Sequence, residues 1–126
     1  MNSRMMVCAL ALVSCVAAPV AVSTVGAEAK EVPPATFTLV NIEYEGSKLW
    51  LPGTITVAKG TKVTLKLINN TPSGDHGFQL GAFGVATVVK KGEPATVEFT
   101  ADKVGVFPYS CQLHPAHVGG QLVVTP

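Results

Sequence analysis

Residues 61–68, with the sequence TKVTLKLI, carry the clearest structural signal of the chain. Val63, Leu65 and Leu67 alternate with lysine and threonine side chains, so apolar and polar residues follow one another in strict turn. Because successive side chains of a β-strand point to opposite faces, this alternation predicts a strand that buries one face in a core.

Shorter segments on both sides of this strand carry a similar alternation and are separated by turn residues. They comprise residues 36–44, 54–57, 78–89, 95–100, 106–111 and 121–125. Glycine residues interrupt the 78–89 segment, which predicts a bend or a bulge there. No segment of the region 30–126 has the apolar period of a helix. About seven or eight short strands joined by turns predict an all-β fold, an antiparallel β-sandwich.

Residues 1–29 have the order of charged, apolar and small residues that is typical of a secretory signal peptide. Arg4 precedes a nearly uninterrupted apolar run over residues 5–22, and mostly small residues follow, ending in AEA at 27–29. We expect cleavage after Ala29, export to the periplasm or beyond the cell, and one mature domain over residues 30–126. Two alternatives stay open. The run could be a membrane anchor, or residues 12–15 could be a lipoprotein processing site that leaves Cys15 acylated.

The composition of the 126-residue chain fits one globular domain and excludes several classes of function. Charged residues make up 13% and hydrophobic residues 48%, which is unlike a disordered chain. Nine basic and eight acidic residues give a net charge of +1, so there is no electrostatic case for a nucleic-acid partner. The sequence contains no glycine-rich phosphate loop and no dinucleotide fingerprint, so nucleotide chemistry is not expected.

The cysteines point to a metal. Cys8 and Cys15 belong to the expected signal peptide, and their removal leaves Cys111 as the single cysteine of the mature chain. An exported protein with one cysteine cannot form an internal disulfide, and its thiol is exposed to oxidation unless something protects it. Metal ligation is a common form of protection.

Candidate metal ligands are concentrated in residues 109–117, with the sequence YSCQLHPAH. This stretch contains Cys111, His114 and His117, and the remaining histidine, His76, lies in an upstream polar loop. Thiolate and imidazole suit copper or zinc, and a cysteine with two histidines and a weaker fourth ligand describes a blue-copper site. Asp75 is a weaker candidate ligand. Catalysis by a Cys–His pair is less favoured, because no third orienting residue is evident.

At these residues the sequence resembles the cupredoxins, small copper proteins of the plastocyanin and amicyanin kind. The resemblance covers about residues 35–126, and it depends on TVAKG at 56–60, the strand that ends near Asn69, and the Cys111-x2-His114 spacing. AFGV at 82–85, FTADK at 99–103 and CQLHP at 111–115 are closest in motif to nitrosocyanin, the red copper protein. The resemblance implies a Greek-key β-sandwich and one copper ion per chain, with His76, Cys111, His114 and His117 as ligands.

Two departures from these families concern the metal. Ordinary blue sites carry a methionine as the weak ligand, whereas His117 stands there and no methionine follows Met6. Nitrosocyanin carries a carboxylate where this chain has His76, and its ligand loop is longer. Imidazole binds copper more strongly than a thioether does, so His117 should distort the site and stabilise the oxidised form. We therefore expect a green-to-red site with a lowered reduction potential.

The function expected from this site is one-electron transfer by an exported copper protein, not enzymatic catalysis. Redox protein partners would dock transiently near His114, on an apolar rim formed by Pro115, Ala116, Val118 and residues 82–83. Two alternatives are a red-copper protein that binds a small molecule such as nitric oxide or performs redox catalysis, and a periplasmic copper delivery or storage protein. We expect a monomer or small homo-oligomer, with no membrane span and no nucleic acid.

Residues around the ligands have predicted supporting roles. Asn69 or Asn70 could form a hydrogen bond to the loop that holds Cys111 and so tune its sulfur. The larger aromatic side chains are expected to pack in the core, and they are Trp50, Phe78, Phe83, Phe107 and Tyr109.

Overall fold

The computed structural model describes Gly26 and residues 30–72 and 74–126. The predicted signal peptide, its cleavage after Ala29 and the alternative acylation of Cys15 lie outside these described residues. In the part of the chain that is described, no helix has the length and apolar character needed to cross a membrane.

Nine strands make up the regular structure of the described residues. They are β1 (Ala35–Tyr44), β2 (Ser47–Leu51), β3 (Thr54–Ala58), β4 (Lys62–Asn69), β5 (His76–Leu80), β6 (Val85–Val89), β7 (Ala95–Thr100), β8 (Gly105–Tyr109) and β9 (Gly120–Thr125). A 3-10 turn at Gly81–Phe83 separates β5 from β6. The prediction of one bent or bulged strand over residues 78–89 is therefore wrong, because the chain reverses at this turn and β5 and β6 pair with each other in antiparallel fashion.

The strands form a sheet of order β2-β1-β4-β7, a second of order β3-β9-β8, and the pair β5-β6. The predicted all-β sandwich is confirmed, with mixed sheets in place of purely antiparallel ones. β1 pairs with β4 and β3 pairs with β9 in parallel, and the remaining strand pairs are antiparallel. The sequence pattern did not reveal these parallel pairs, because a half-buried strand alternates in the same way whichever direction its neighbour runs.

The core lies between the sheets and takes one face of most strands, whereas all residues of β5 but one are buried. In β4, Val63, Leu65 and Leu67 are at most 1% exposed, and Lys62 and Lys66 are exposed on the opposite face. The predicted alternation of this strand is thus confirmed. The inward side chains of β3 and β9 alternate in the same manner and close the core from the other side.

β2 was not predicted, although it carries a residue that is central to the core. A turn at Glu45 and Gly46, both with positive φ, reverses the chain so that β2 pairs with β1. Trp50 of β2 is 1% exposed and meets the Phe78 ring edge-on, with 5.5 Å between ring centroids. Phe78 in turn lies 5.3 Å from the Tyr109 ring. These three aromatic side chains are buried and pack in the core, as expected.

Tyr109 is buried, and its hydroxyl donates a hydrogen bond to the carbonyl of Pro52. Burial raises the pKa of Tyr109 to about 12, so the phenol keeps its proton and remains a donor. Phe83, at the far end of β5 from His76, packs against Phe99 and Phe107. The expected packing roles of Phe83 and Phe107 are therefore also observed.

Candidate metal centre

His76 is the first residue of β5 and follows the loop that leaves β4. Its side chain is 1% exposed. The Nε2 atom lies 2.9 Å from the hydroxyl oxygen of Thr71, within hydrogen-bond distance. With Nε2 engaged in this way, Nδ1 is the nitrogen that a metal would take.

Asn69, the last residue of β4, holds this loop together. Its amide nitrogen donates to the carbonyls of Gly74, at 2.9 Å, and Val89, at 3.1 Å. Its Oδ1 accepts from the Thr71 backbone N–H at 3.1 Å and from the Thr71 hydroxyl at 2.6 Å. The prediction that Asn69 contacts the Cys111 loop is wrong, because its side chain forms its hydrogen bonds within its own loop and to β6. Asn70 is exposed and its backbone N–H donates to the carbonyl of Asn41.

Cys111 lies just beyond β8 and is 2% exposed. Its Sγ accepts a hydrogen bond from the backbone N–H of Gly77 at 3.1 Å. The carbonyl of the same glycine accepts a hydrogen bond from the Trp50 indole at 3.1 Å. Backbone hydrogen bonds between Gln79 and Ser110, at 2.8 and 3.0 Å, hold β5 beside the residue that precedes Cys111. Sulfur and His76 are thus brought together by the pairing of distant strands.

The packing around Gly77 leaves no room for a side chain while Gln112 keeps its observed position. A Cβ at position 77 would lie 2.5 Å from Cδ of Gln112, whose amide nitrogen donates to the carbonyl of Thr87 at 2.9 Å. Real Cβ atoms do not approach other atoms so closely. Sequence reasoning missed this role of Gly77, and the only available signal was that a glycine follows a candidate ligand.

The two remaining histidines are placed by two successive turns after Cys111. The N–H of His114 donates to the carbonyl of Cys111 at 3.2 Å, and the N–H of His117 donates to the carbonyl of His114 at 3.0 Å. These turns fold His114 back so that its Nδ1 lies 3.5 Å from the Cys111 sulfur. His114 is exposed, and His117 is half-buried.

The four side chains converge. One ligand atom from each of His76, Cys111, His114 and His117 lies within 4.8 Å of all the others. The ring centroids of His76 are 5.3 Å from His114 and 4.9 Å from His117, and the last two rings stack at 4.5 Å. Asp75, the weaker sequence candidate, is exposed and outside this cluster.

The electrostatic surroundings favour a neutral His117. Desolvation lowers its pKa most, and the neighbouring His114, His76 and Lys48 lower it further by charge repulsion. A neutral imidazole is the form that ligates a metal. Lys48 itself forms an ion pair with Glu43 at 3.1 Å.

The protein-family model for the cupredoxin-like domain matches residues 5–124 of this chain. The chain belongs to the cupredoxin family. Its fold and its cluster of one cysteine and three histidines are like those of copper electron carriers. No curated protein sequence matches it. The closer likeness to nitrosocyanin stays a prediction.

Solved structures of copper proteins resemble this cupredoxin. A copper-containing nitrite reductase from Thermus scotoductus is 28% identical, with a TM-score of 0.60 over 72% of this chain and 27% of the reductase. The copper nitrite reductase of Nitrosomonas europaea is 24% identical, with a TM-score of 0.61 over 74% of this chain and 42% of that one. The present chain therefore spans less than half of either reductase.

Auracyanin A, a blue copper protein of Chloroflexus aurantiacus, is similar in size as well as in fold. The likeness covers 73% of this chain and 99% of auracyanin, with a TM-score of 0.56 and 19% identity. At that identity the comparison supports the fold alone.

The donor set of this cupredoxin fits a copper ion. A thiol and three imidazoles are preferred by copper and also by zinc. The Nδ1 atom of His117 is buried and has no hydrogen-bond partner among the described residues. Buried polar atoms normally have a partner, and a metal ion would be a suitable one for this nitrogen. Ligation by the four residues stays a prediction.

β2 secures the far end of the ligand loop in this cupredoxin. The N–H of Val118 donates to the carbonyl of Lys48 at 2.8 Å, and the N–H of Trp50 donates to the carbonyl of Val118 at 3.2 Å. His117 is therefore one residue from a point where the loop is tied to a strand. Sequence reasoning could not find this contact, because β2 itself was not predicted.

Proposed function

We propose that this protein is an exported copper protein that carries one electron at a time, with a single copper ion held by His76, Cys111, His114 and His117. The observation that carries the proposal is the convergence of the four ligand atoms within 4.8 Å of one another. Copper bound there would alternate between Cu(I) and Cu(II). The cupredoxin family and the 28% identity to a copper-containing nitrite reductase support this choice of metal.

The burial of the ligands supports electron transfer. His76 and Cys111 are at most 2% exposed, whereas His114 is exposed. A metal held by the four residues would be shielded from water by His76 and Cys111 and would lie nearest the surface at His114, with the half-buried His117 beside it. A shielded site with a single exposed ligand favours exchange of electrons with a partner over binding of a bulky substrate.

The surface around His114 supports a weak docking contact. Leu113 and Val118 are 45% and 55% exposed, and Pro115 and Ala116 are exposed beside them. An apolar patch of this small size fits the transient, low-area contacts of redox partners. Residues 82–83 are left out of the patch, because Phe83 packs in the core and lies beyond the far end of β5.

His117 supports a distorted site. Its ring lies 4.9 Å from His76 and 4.5 Å from His114, close enough to serve as a fourth strong ligand. A strong fourth ligand would weaken the copper–sulfur bond and lower the reduction potential. This feature also favours the second candidate function, a red-copper protein that binds a small molecule, which would additionally require an open coordination position.

The first experiment compares absorption and EPR spectra of the purified protein loaded with Cu(II) with those of His117→Ala. We expect stoichiometric binding of one copper ion, with sulfur charge-transfer bands that move towards the blue-site pattern in the variant. His117→Met is the matched control, because a thioether in this position should give the most blue-like spectrum. Absence of a thiolate-to-copper band, or a preference for zinc, would replace electron transfer with a structural metal site.

We also propose that residues 1–29 are removed on export and that residues 30–126 form the mature copper-binding domain. The order of charged, apolar and small residues in the leader supports this. The mass of protein recovered from the periplasmic fraction should correspond to a chain that begins at Lys30. A lipid-sized mass increase on a chain that begins at Cys15 would show the anchored alternative.

A further inference from the structure

We propose that Thr71 and Asn69 form a hydrogen-bond relay that selects the tautomer of His76 and so presents its Nδ1 atom, without a proton, to the metal. The inference deepens the proposed function and rests on it for the role of the metal. Thr71 and Asn69 act through His76, and they are therefore positioning residues.

The relay starts from an amide whose orientation is determined by its partners. The carbonyl oxygens of Gly74 and Val89 lie 2.9 and 3.1 Å from one end of the Asn69 amide, and a carbonyl can only accept. That end of the amide must therefore be the nitrogen. The other end is the oxygen, which is consistent with the backbone N–H of Thr71 at 3.1 Å.

The orientation of Asn69 determines the direction of the next hydrogen bond. The Thr71 hydroxyl lies 2.6 Å from Asn69 Oδ1, and an amide oxygen has no proton to give. The hydroxyl must therefore donate its single proton to Asn69. Towards every other neighbour, the Thr71 oxygen can only accept.

His76 is one of those neighbours. Its Nε2 atom lies 2.9 Å from the Thr71 oxygen, so the proton of that hydrogen bond must come from Nε2. A neutral imidazole carries one N–H, and with that proton on Nε2 the lone pair is on Nδ1. Hydrogen bonding to the second ring nitrogen is the common way in which a ligating histidine is oriented.

The three residues of the relay are buried, which strengthens their effect on the tautomer of His76. Asn69, Thr71 and His76 are 5%, 2% and 1% exposed, so water competes little for their hydrogen bonds. The relay also joins three elements, because Asn69 ends β4, Val89 ends β6 and His76 begins β5. The ring of His76 is therefore oriented by contacts that do not involve the ligand loop.

The test measures the tautomer and the metal affinity separately. Imidazole ¹⁵N NMR of the metal-free protein, in mildly alkaline buffer, reports which nitrogen of His76 carries the proton. We expect the proton on Nε2, with slow exchange against solvent. Affinities for Zn(II) alone and Cu(II) alone are then compared between the wild type, Thr71→Ser and Thr71→Val.

Thr71→Ser keeps the hydroxyl and should stay near the wild type in both measurements. Thr71→Val removes it at nearly the same volume, and should accelerate exchange of the Nε2 proton and weaken metal binding about 10- to 100-fold. Asn69→Ala keeps the Thr71 hydroxyl but removes the acceptor of its proton, which can then be donated towards His76, so the opposite tautomer should become populated.

A proton on Nδ1 in the wild type would overturn the relay, and this result does not depend on whether any variant folds. Equal metal affinities and equal exchange rates in Thr71→Val and Thr71→Ser would overturn it as well. If the tautomer is as expected but neither metal binds the wild type, then the relay stands and the proposed function fails.

Discussion

The two halves of the candidate site are built in different ways. His76 stands on a strand, is almost fully buried, and is held through its side chain by Thr71 and Asn69. His114 and His117 stand on a loop that is shaped mainly by backbone hydrogen bonds, and their rings are more exposed. One half is thus oriented before any metal arrives, whereas the other half has more freedom to adjust to it.

Cys111 connects the two halves. It is buried like His76, and its sulfur accepts from Gly77 beside His76, yet it also begins the loop of His114 and His117. The metal–sulfur bond should therefore respond to changes in either half. Substitutions on the strand side should alter the stability of the fold as well as the site, and substitutions on the loop side should alter mainly the site.

The largest expected effect is a difference between His76 and His114 in whether added imidazole can replace the missing ligand. His76→Gly and His114→Gly should both abolish the native copper spectrum, because each removes a ligand. Imidazole added to the solution should restore the spectrum of His114→Gly, since position 114 is exposed, and should not restore that of His76→Gly, since position 76 is buried. Absorption spectroscopy with Cu(II) checks this.

Cys111→Ser is the control for that experiment, because its charge-transfer band should vanish and imidazole should not restore it. Equal rescue of both glycine variants would show that the half around His76 is as open as the loop.

The next effect concerns the close packing beneath the sulfur. Gly77→Ala should destabilise the fold by about 1–3 kcal/mol, because the added methyl group would displace the Gln112 side chain from its hydrogen bond to the Thr87 carbonyl. It should also lengthen the hydrogen bond to the sulfur and shift the charge-transfer bands. Urea unfolding of the metal-free protein measures the first effect.

Gly81→Ala is the matched control for this position. A Cβ there would lie 3.9 Å from its nearest neighbour, the amide nitrogen of Gln79, so little change is expected. Similar losses of stability in both variants would contradict the packing argument.

A smaller effect should come from the indole of Trp50. Trp50→Phe keeps an aromatic ring but removes the hydrogen bond to the Gly77 carbonyl, which should cost about 0.5–1.5 kcal/mol of unfolding free energy. The N–H of Gly77 would then be less firmly aimed at the sulfur, so a modest shift of the charge-transfer bands should accompany the loss. An unchanged spectrum together with reduced stability would limit Trp50 to packing.

The smallest effect on stability is expected at the proposed docking patch. Leu113→Ala should change the unfolding free energy by no more than about 0.5 kcal/mol, because the side chain is 45% exposed. It should nevertheless slow electron self-exchange, which requires two molecules to approach through this surface. NMR line broadening in mixtures of oxidised and reduced protein measures that rate.

Val106→Ala provides the comparison for Leu113→Ala. Val106 is 61% exposed, and it lies on β8 away from the ligand loop. If both variants slow self-exchange equally, then the patch near His114 is not the docking surface.

Much of the fold could be predicted from local patterns. The alternation of Val63, Leu65 and Leu67 with lysine and threonine specifies a half-buried strand, and the structure buries these side chains. Parallel pairing and β2 were not predicted. A strand alternates with a period of two whether its neighbour runs parallel or antiparallel, so the alternation does not reveal the direction of pairing. The short strand β2, with the sequence SKLWL, has no regular alternation of apolar and polar residues.

Residue patterns were enough to predict the all-β class and the grouping of Cys111, His114 and His117, because alternation and short ligand spacing are local properties of the chain. The sequence also identified His76 as the remaining candidate ligand, from its chemistry alone. The surroundings of these residues depend on the folded chain: the Asn69–Thr71 relay, the Gly77 contact with sulfur and the attachment of the loop to β2. Each of these joins residues that are brought together by a sheet or a loop closure, and hydrogen-bond direction depends on geometry that residue types alone do not specify.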